Sequence, residues 1–312
     1  MGKPFISVIV TAYNRKQFLL EALKSVVNQT LSRDKYEVIV TKNFEDKEID
    51  DYIKINNIIN FSKEDFWNEP RNVLEKTNGE VITFLDDDDL YSKDRLERIY
   101  KVFKKLDIGY YCNNVTHDTN VQNSLHKLGL KNENNYRIIS YPYPNKLEYQ
   151  NEGAVAVKRE TLISHINEFR MLFPASDLFI FVFGLMSKKK IFVDFNKLTF
   201  LRVYGRGKTI EEYIKFKTEE IKVHLRAQAL ADKYNLKPAK RVIKRAEFSS
   251  IVILDILQKV GRNRIFRDLL RFPLKDISNR WIRNRFILLL TYFIFPKYGY
   301  KLILQKHNYL RN

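Results

Sequence analysis

A chain of 312 residues, 45% hydrophobic and 29% charged, is long enough for one large or two ordinary domains, each with its own core. Its single cysteine, Cys112, excludes an intrachain disulfide framework, and the lack of any eighteen-residue apolar run argues against a conventional transmembrane helix. The net charge of +18 is lopsided: residues 1–205 hold 30 Lys+Arg against 28 Asp+Glu, and residues 206–312 hold 25 against 9.

Phe5-Ile6-Ser7-Val8-Ile9-Val10 is a continuous apolar run, as expected of a strand buried on both faces of a parallel sheet. No charged-then-apolar leader precedes it, so a reducing, cytoplasmic compartment is expected. After Thr11-Ala12-Tyr13-Asn14-Arg15, the residues Phe18, Leu19, Ala22, Leu23, Val26 and Val27 recur at three and four and predict an amphipathic helix. Tyr36–Val40 is the second strand and closes a βαβ unit. From Asn43 to Glu69 the chain reads as polar and irregular, with a short strand at Ile55–Phe61. Arg71-Asn72-Val73-Leu74 opens a helix that stops at Asn78-Gly79, read as a glycine C-cap.

Val81–Leu85 then runs as a buried strand into Asp86-Asp87-Asp88-Asp89. Strand alternation puts Asp86 and Asp88 on one side, with Asp87 and Asp89 on the other. Four adjacent carboxylates repel one another unless a cation compensates, and Mn²⁺ or Mg²⁺ suits oxygen ligands of this kind. A solvated acidic turn before the next helix is the plainer alternative. The carboxyl end of a buried strand, where open α/β sheets bind ligands, favours a site.

Taken in order, Ser7–Asn14, Glu37–Val40, Arg71-Asn72 and Gly79–Asp89 resemble family 2 glycosyltransferases of the GT-A fold. The resemblance covers about the first hundred residues, weakens through 110–205 and ends near 206. It implies an α/β catalytic domain over residues 1–205, with a Rossmann-like mixed sheet and a nucleotide-sugar at its carboxyl edge; the helical extension over 206–312 is read from periodicity alone. It implies that Thr11, Ala12 and Tyr13 line the base and ribose, that Arg15, Asn43, Arg71 and Asp87 belong to the nucleotide site, that Asp86 meets ribose or phosphate, and that Asp88 binds the metal. One departure stands out. Family members carry an Asp just after the second strand, and here Lys42-Asn43 takes its place, which puts a uracil preference in question.

Leu96, Ile99, Tyr100 and Phe103 mark a helix, Ile108–Cys112 a strand, and residues 113–150 loops rich in Asn, Tyr and Pro. Gly153–Leu162 reads as a strand entering a helix, and Phe173-Pro174-Ala175-Ser176-Asp177 opens an apolar helix. By resemblance Asp177 is the catalytic base and Glu152 the second choice. As a residue type, Asp177 serves equally as a helix cap. Ile191–Asp194 and Leu198–Tyr204 are expected as two closing strands, with a boundary at Gly205-Arg206-Gly207.

Beyond the boundary the pattern is helical: Ile210, Ile214, Ile221 and Leu225 mark one helix and Pro238 starts another. Residues 259–285 hold nine Lys/Arg against two Asp, ahead of the apolar run Phe286–Phe295. The expectation is an inverting transferase with a nucleoside-diphosphate sugar as donor and a glycan or lipid-linked hydroxyl as acceptor; its basic tail either lies on an anionic membrane surface or packs its Phe286–Phe295 run on the catalytic domain or a second subunit. The alternatives are a nucleic-acid-binding protein, which lacks any recognition motif here, and a sugar nucleotidyltransferase, whose glycine-rich phosphate loop is missing from 11–15.

Overall fold

The computed structural model describes residues 2–62, 70–144, 147, 150–169, 176–203, 209–272 and 274–306. It divides into two compact units, Met1–Tyr204 and Gly205–Asn312. The first unit opens with β1 (Ile6–Ala12), whose buried apolar run pairs in parallel with β2 (Tyr36–Lys42). Between them α1 (Leu19–Val27) lays Leu19, Ala22, Leu23 and Val26 on the sheet. The region read as irregular contains a helix, α2 (Lys47–Ile55), whose N-cap Asp46 accepts from the Ile49 amide; β3 (Ile59–Ser62) follows, later than expected. Ile49 and Ile53 are its buried anchors, too few to set a visible period in nine residues.

Next come α3 (Pro70–Lys76) and β4 (Val81–Asp86), the latter parallel to β1. Gly79 between them does not end the helix in a left-handed turn: among the described glycines only Gly129 has a positive φ. Its role is close approach, because a Cβ there would stand 2.5 Å from the Ser7 amide nitrogen and 2.7 Å from the Ile6 carbonyl carbon. The chain continues through β5 (Leu90–Tyr91), α4 (Arg95–Lys105), β6 (Ile108–Asp118), β7 (Tyr136–Ile139), β8 (Val155–Lys158), α5 (Arg159–Ser164), α6 (Ile166–Phe169), α7 (Ser176–Met186) and β9 (Lys190–Arg202). Where two closing strands were expected, β9 is one strand. Its polar middle stays in the ladder because Asp194 is fully buried against Arg98, and the Asn196 amide bonds the Asn132 carbonyl. Gly205–Gly207 and Phe173–Ala175 lie outside the described residues.

Among the described residues nine strands form one mixed sheet in the order β3-β2-β1-β4-β8-β6-β9, with β5 and β7 antiparallel on β9. In a flat sheet β4 and β5 would stand four strand spacings apart, about 19 Å. Three residues, Asp87–Asp89, link them, and four residue steps reach at most about 14 Å. The sheet therefore curls, which brings the end of β9 back to the end of β4. Arg95 is completely buried beneath this join, donating to Asn113 Oδ1, Thr83 Oγ1 and the Val155 carbonyl at 3.0–3.2 Å, with its guanidinium 4.0 Å from the Tyr91 ring centre. All three acceptors are neutral, so hydrogen bonds and the ring face, rather than a counter-charge, keep this cation inside.

The second unit is helical: α8 (Ile210–Lys233), α9 (Lys237–Leu257), α10 (Arg262–Leu270), α11 (Arg280–Ile294) and α12 (Pro296–Lys306). A capping box between Thr209 and Glu212 starts α8, and Pro238 sits in the first turn of α9. Its core joins Val252, Ile253 and Ile256 to Ile265, Leu289, Tyr292 and Ile303. The Phe286–Phe295 run thus splits by face: Leu288, Leu289 and Tyr292 are buried, whereas Ile287, Leu290, Ile294 and Phe295 are exposed. No described helix is long and apolar enough to cross a membrane.

Candidate active site at the acidic loop

Parallel pairing sets Thr11 beside both Thr41 and Asp86, and Ala12 beside Lys42, at the carboxyl edge of the sheet. Tyr13, just past the edge, is 62% exposed. Asn14 takes a left-handed turn at φ +56° rather than capping α1, whose N-cap is Phe18. Asn43 holds that turn: its Oδ1 accepts the Asn14 amide at 2.7 Å, and its Nδ2 donates to Asn14 Oδ1 at 2.7 Å. Lys42 turns inward, 1% exposed, with Nζ donating to the Phe44 carbonyl at 2.6 Å and paired with Asp50 at 2.8 Å. Of the two residues replacing the expected acid, Lys42 is structural and Asn43 faces the first loop.

Alternation does not continue past Asp86. The backbone turns at Asp87 and Asp88, with the Asp89 amide donating to the Asp86 carbonyl at 3.2 Å. Asp89 therefore joins Asp86 and Asp88, and one carboxylate oxygen from each lies within 4.8 Å of the others. Oxygens on opposite sides of a hard divalent cation stand about 4.2–4.8 Å apart, so this donor set fits Mn²⁺ or Mg²⁺. Thr11 Oγ1 donates to Asp86 Oδ1 at 3.2 Å and orients it.

Asp87 turns away toward Arg15. The guanidinium forks onto Asp87, through Nε to Oδ2 at 3.2 Å and Nη2 to Oδ1, and Nη1 reaches Asp88 Oδ2 at 2.9 Å. Burial pushes the Asp87 carboxyl up to about 7, against the opposing pull of Arg15. Burial also works against charge on Arg15, but Asp87 and Asp88 outweigh it and hold the guanidinium more firmly protonated.

Arg202 gave no signal in the sequence. It ends β9, and the curl of the sheet carries it to the loop, where its amide donates to Asp89 Oδ1 at 3.0 Å and its Nε to the Asp88 carbonyl at 3.0 Å. Its Nη2 donates to Glu21 of α1 at 2.6 Å, and its guanidinium lies 4.2 Å from the Phe18 ring centre.

Asp177 stands in the first turn of α7, half-buried, accepting the Leu178 amide at 2.8 Å. The helix packs against β6, β8 and the short turn Glu152–Ala154, which also lies against β4. Gly153 in that turn sits beside the acidic loop, since a Cβ there would be 3.6 Å from Asp89 Oδ2. The side chains of Glu152 and Arg71 lie outside the described part of the structure.

Residues 7–165 match the model of Glycosyl transferase family 2, about half the chain. An uncharacterized glycosyltransferase of Haemophilus influenzae is 34% identical over 108 residues, 31% of this chain and 42% of its own. A poly(ribitol-phosphate) beta-glucosyltransferase of Bacillus spizizenii is 30% identical over 115 residues, 32% of this chain and 17% of its own. The chain thus spans less than half of these curated relatives. Among solved structures, S. aureus TarS 1–349 in complex with UDP-GlcNAc superposes with a TM-score of 0.56 at 14% identity, covering 93% of this chain and 91% of that one. Mannosyltransferase PcManGT from Pyrobaculum calidifontis, in complex with GDP-Man and Mn²⁺, gives 0.54 at 15% identity, covering 95% and 88%. These likenesses carry the fold, a GT-A-like mixed sheet followed by helices, and with the matched family model they make this chain a member of glycosyl transferase family 2.

Proposed function

We propose that the first unit transfers a sugar from a nucleoside-diphosphate sugar to a hydroxyl acceptor, inverting the anomeric centre. The observation that carries this reading is the convergence of Asp86, Asp88 and Asp89 oxygens within 4.8 Å at the carboxyl edge of β4. Solved relatives of this fold hold UDP-GlcNAc, or GDP-Man with Mn²⁺, which supports a nucleotide-sugar donor and a divalent ion here. When bound, the ion would be held by Asp88 with Asp86 and Asp89, clamping the diphosphate and acting as its Lewis acid. Thr11 fixes the direction of Asp86, and the exposed Tyr13 ring covers the base. Asp177 takes the proton from the attacking acceptor hydroxyl as general base, and the bond that it accepts from the Leu178 amide orients its carboxylate.

The acceptor is a glycan or a lipid-linked hydroxyl. The exposed Ile287, Leu290, Ile294, Phe295 and Tyr298, next to Lys297, suit an anionic membrane surface on the cytoplasmic face. The test is Mn²⁺- or Mg²⁺-dependent hydrolysis of a panel of nucleotide-sugars, which needs no acceptor. Asp88→Asn is expected to abolish metal-dependent nucleoside-diphosphate binding by calorimetry, and Asp86→Asn to weaken it severely, in folded proteins. Unchanged binding by the Asp88 variant would remove this reading.

A further inference from the structure

The acidic loop carries its own cation. Asp87 and Asp88 are nearly buried, their side chains 4% and 9% exposed, and Arg15 pairs with both. The two contacts are unequal. The fork on Asp87 uses two nitrogens and two oxygens, and Asp87 is not one of the three residues whose oxygens converge. The contact to Asp88 is a single bond at 2.9 Å, made to a residue that does belong to that set. Arg202, which also reaches the loop, is committed to Glu21 and to the Asp88 backbone carbonyl.

We propose that Arg15 is a displaceable counter-ion: in the metal-free protein its Nη1 edge neutralises Asp88, and a divalent ion binds only by taking Asp88 away from it while the fork on Asp87 stays. This rests on reading Asp86, Asp88 and Asp89 as metal ligands. The physical reason is repulsion: four neighbouring carboxylates at the end of a buried strand need a cation in both states of the site. A monovalent guanidinium anchored on the non-ligand Asp87 keeps the loop in its binding conformation until the stronger cation arrives. Retaining the anchor makes the exchange a small rotation of one side chain, with no rearrangement of the loop.

The test uses the full chain without nucleotide. Mn²⁺ binding is followed by the electron paramagnetic resonance of the free ion, and unfolding is followed with and without Mn²⁺. For Arg15→Met the expectation is Mn²⁺ affinity raised about tenfold, the loss of one competing charge-assisted hydrogen bond. The metal-free variant should melt lower than wild type, and saturating Mn²⁺ should narrow that gap. Weaker or unchanged Mn²⁺ binding by the variant, with normal binding by wild type, overturns the proposal and leaves the metal site standing. If neither protein binds Mn²⁺, the metal reading itself fails and the proposal goes with it. A measurement on wild type covers the case in which Arg15→Met does not fold. On titration with Mg²⁺, the Arg15 guanidinium nitrogen resonances should shift and their hydrogens exchange faster; no change at saturation overturns the proposal.

Discussion

Arg202 donates from Nε to the carbonyl of Asp88 at 3.0 Å, tying the last residue of the last strand to the middle of the acidic loop. The two are 114 positions apart in the chain. Arg202→Met should therefore disturb the loop while leaving its own four carboxylates in place. The expected loss is about 2–3 kcal/mol of stability, typical of a hydrogen bond to a charged group whose partner is left buried. The Glu21 pair adds little, because that carboxylate is 44% exposed. Denaturation together with Mn²⁺ titration checks this, and metal affinity should fall with stability. A variant of normal affinity would show that the loop holds its shape without the strap.

Asp177→Asn is a clean probe of the proposed base. Asn can still accept the Leu178 amide through its side-chain oxygen, so the first turn of α7 should survive. Turnover is expected to drop about a hundredfold or more, as for loss of a general base, with donor binding almost intact. Single-turnover transfer and donor calorimetry on the same sample separate the two. Preserved turnover would move attention to Glu152.

Asn43 spends its amide on Asn14, accepting and donating at 2.7 Å. A residue so engaged is poorly placed to select one base over another. Competition between uridine and guanosine diphosphates should show little discrimination, and Asn43→Ala should weaken both alike by loosening the Tyr13-Asn14 turn. A strong uridine preference that vanishes in this variant would mean that Asn43 reads the base.

The helical unit has its own pH signature. His224 is 3% exposed; burial pushes its pKa from 6.5 down to about 4, with Glu220 pulling it up and Lys217 down. Between those values the unfolded chain binds a proton that the folded unit refuses, so stability rises with pH across the window and is lost as pH falls from 6.5 toward 4. The full effect is on the order of 3 kcal/mol. Urea titrations between pH 7 and pH 4 should show it, and His224→Phe should flatten the slope over that range. A slope unchanged in the variant would assign it to other groups.

What could be read from the chain follows from what each element needs. β1, β2 and β4 are buried along nearly their whole length and so read as runs rich in Val and Ile, and α1 writes its stripe at three and four. The acidic loop was visible as composition, but its geometry was not, since alternation assumes a strand that in fact turns after Asp86. That turn makes Asp89 a partner of Asp88. Arg202 and Glu21 lay beyond reach because nothing local encodes the curl that joins β9 to β4. The Phe195–Lys197 stretch read as a break because Asn132, the partner of Asn196, is distant in the chain.

The short link between β4 and β5 has a consequence for motion. Both ends of the acidic loop are strands of one sheet, and the Asp87 amide is bonded to the Thr11 carbonyl at 3.1 Å. Opening the loop means unzipping strands on both sides, so its amides should exchange with solvent only in openings that disrupt the sheet itself. The entropic cost of arranging these carboxylates is met when the chain folds and does not recur at each encounter with a ligand. Whatever adjusts from one encounter to the next is then confined to side-chain rotation, on timescales far shorter than those of backbone rearrangement.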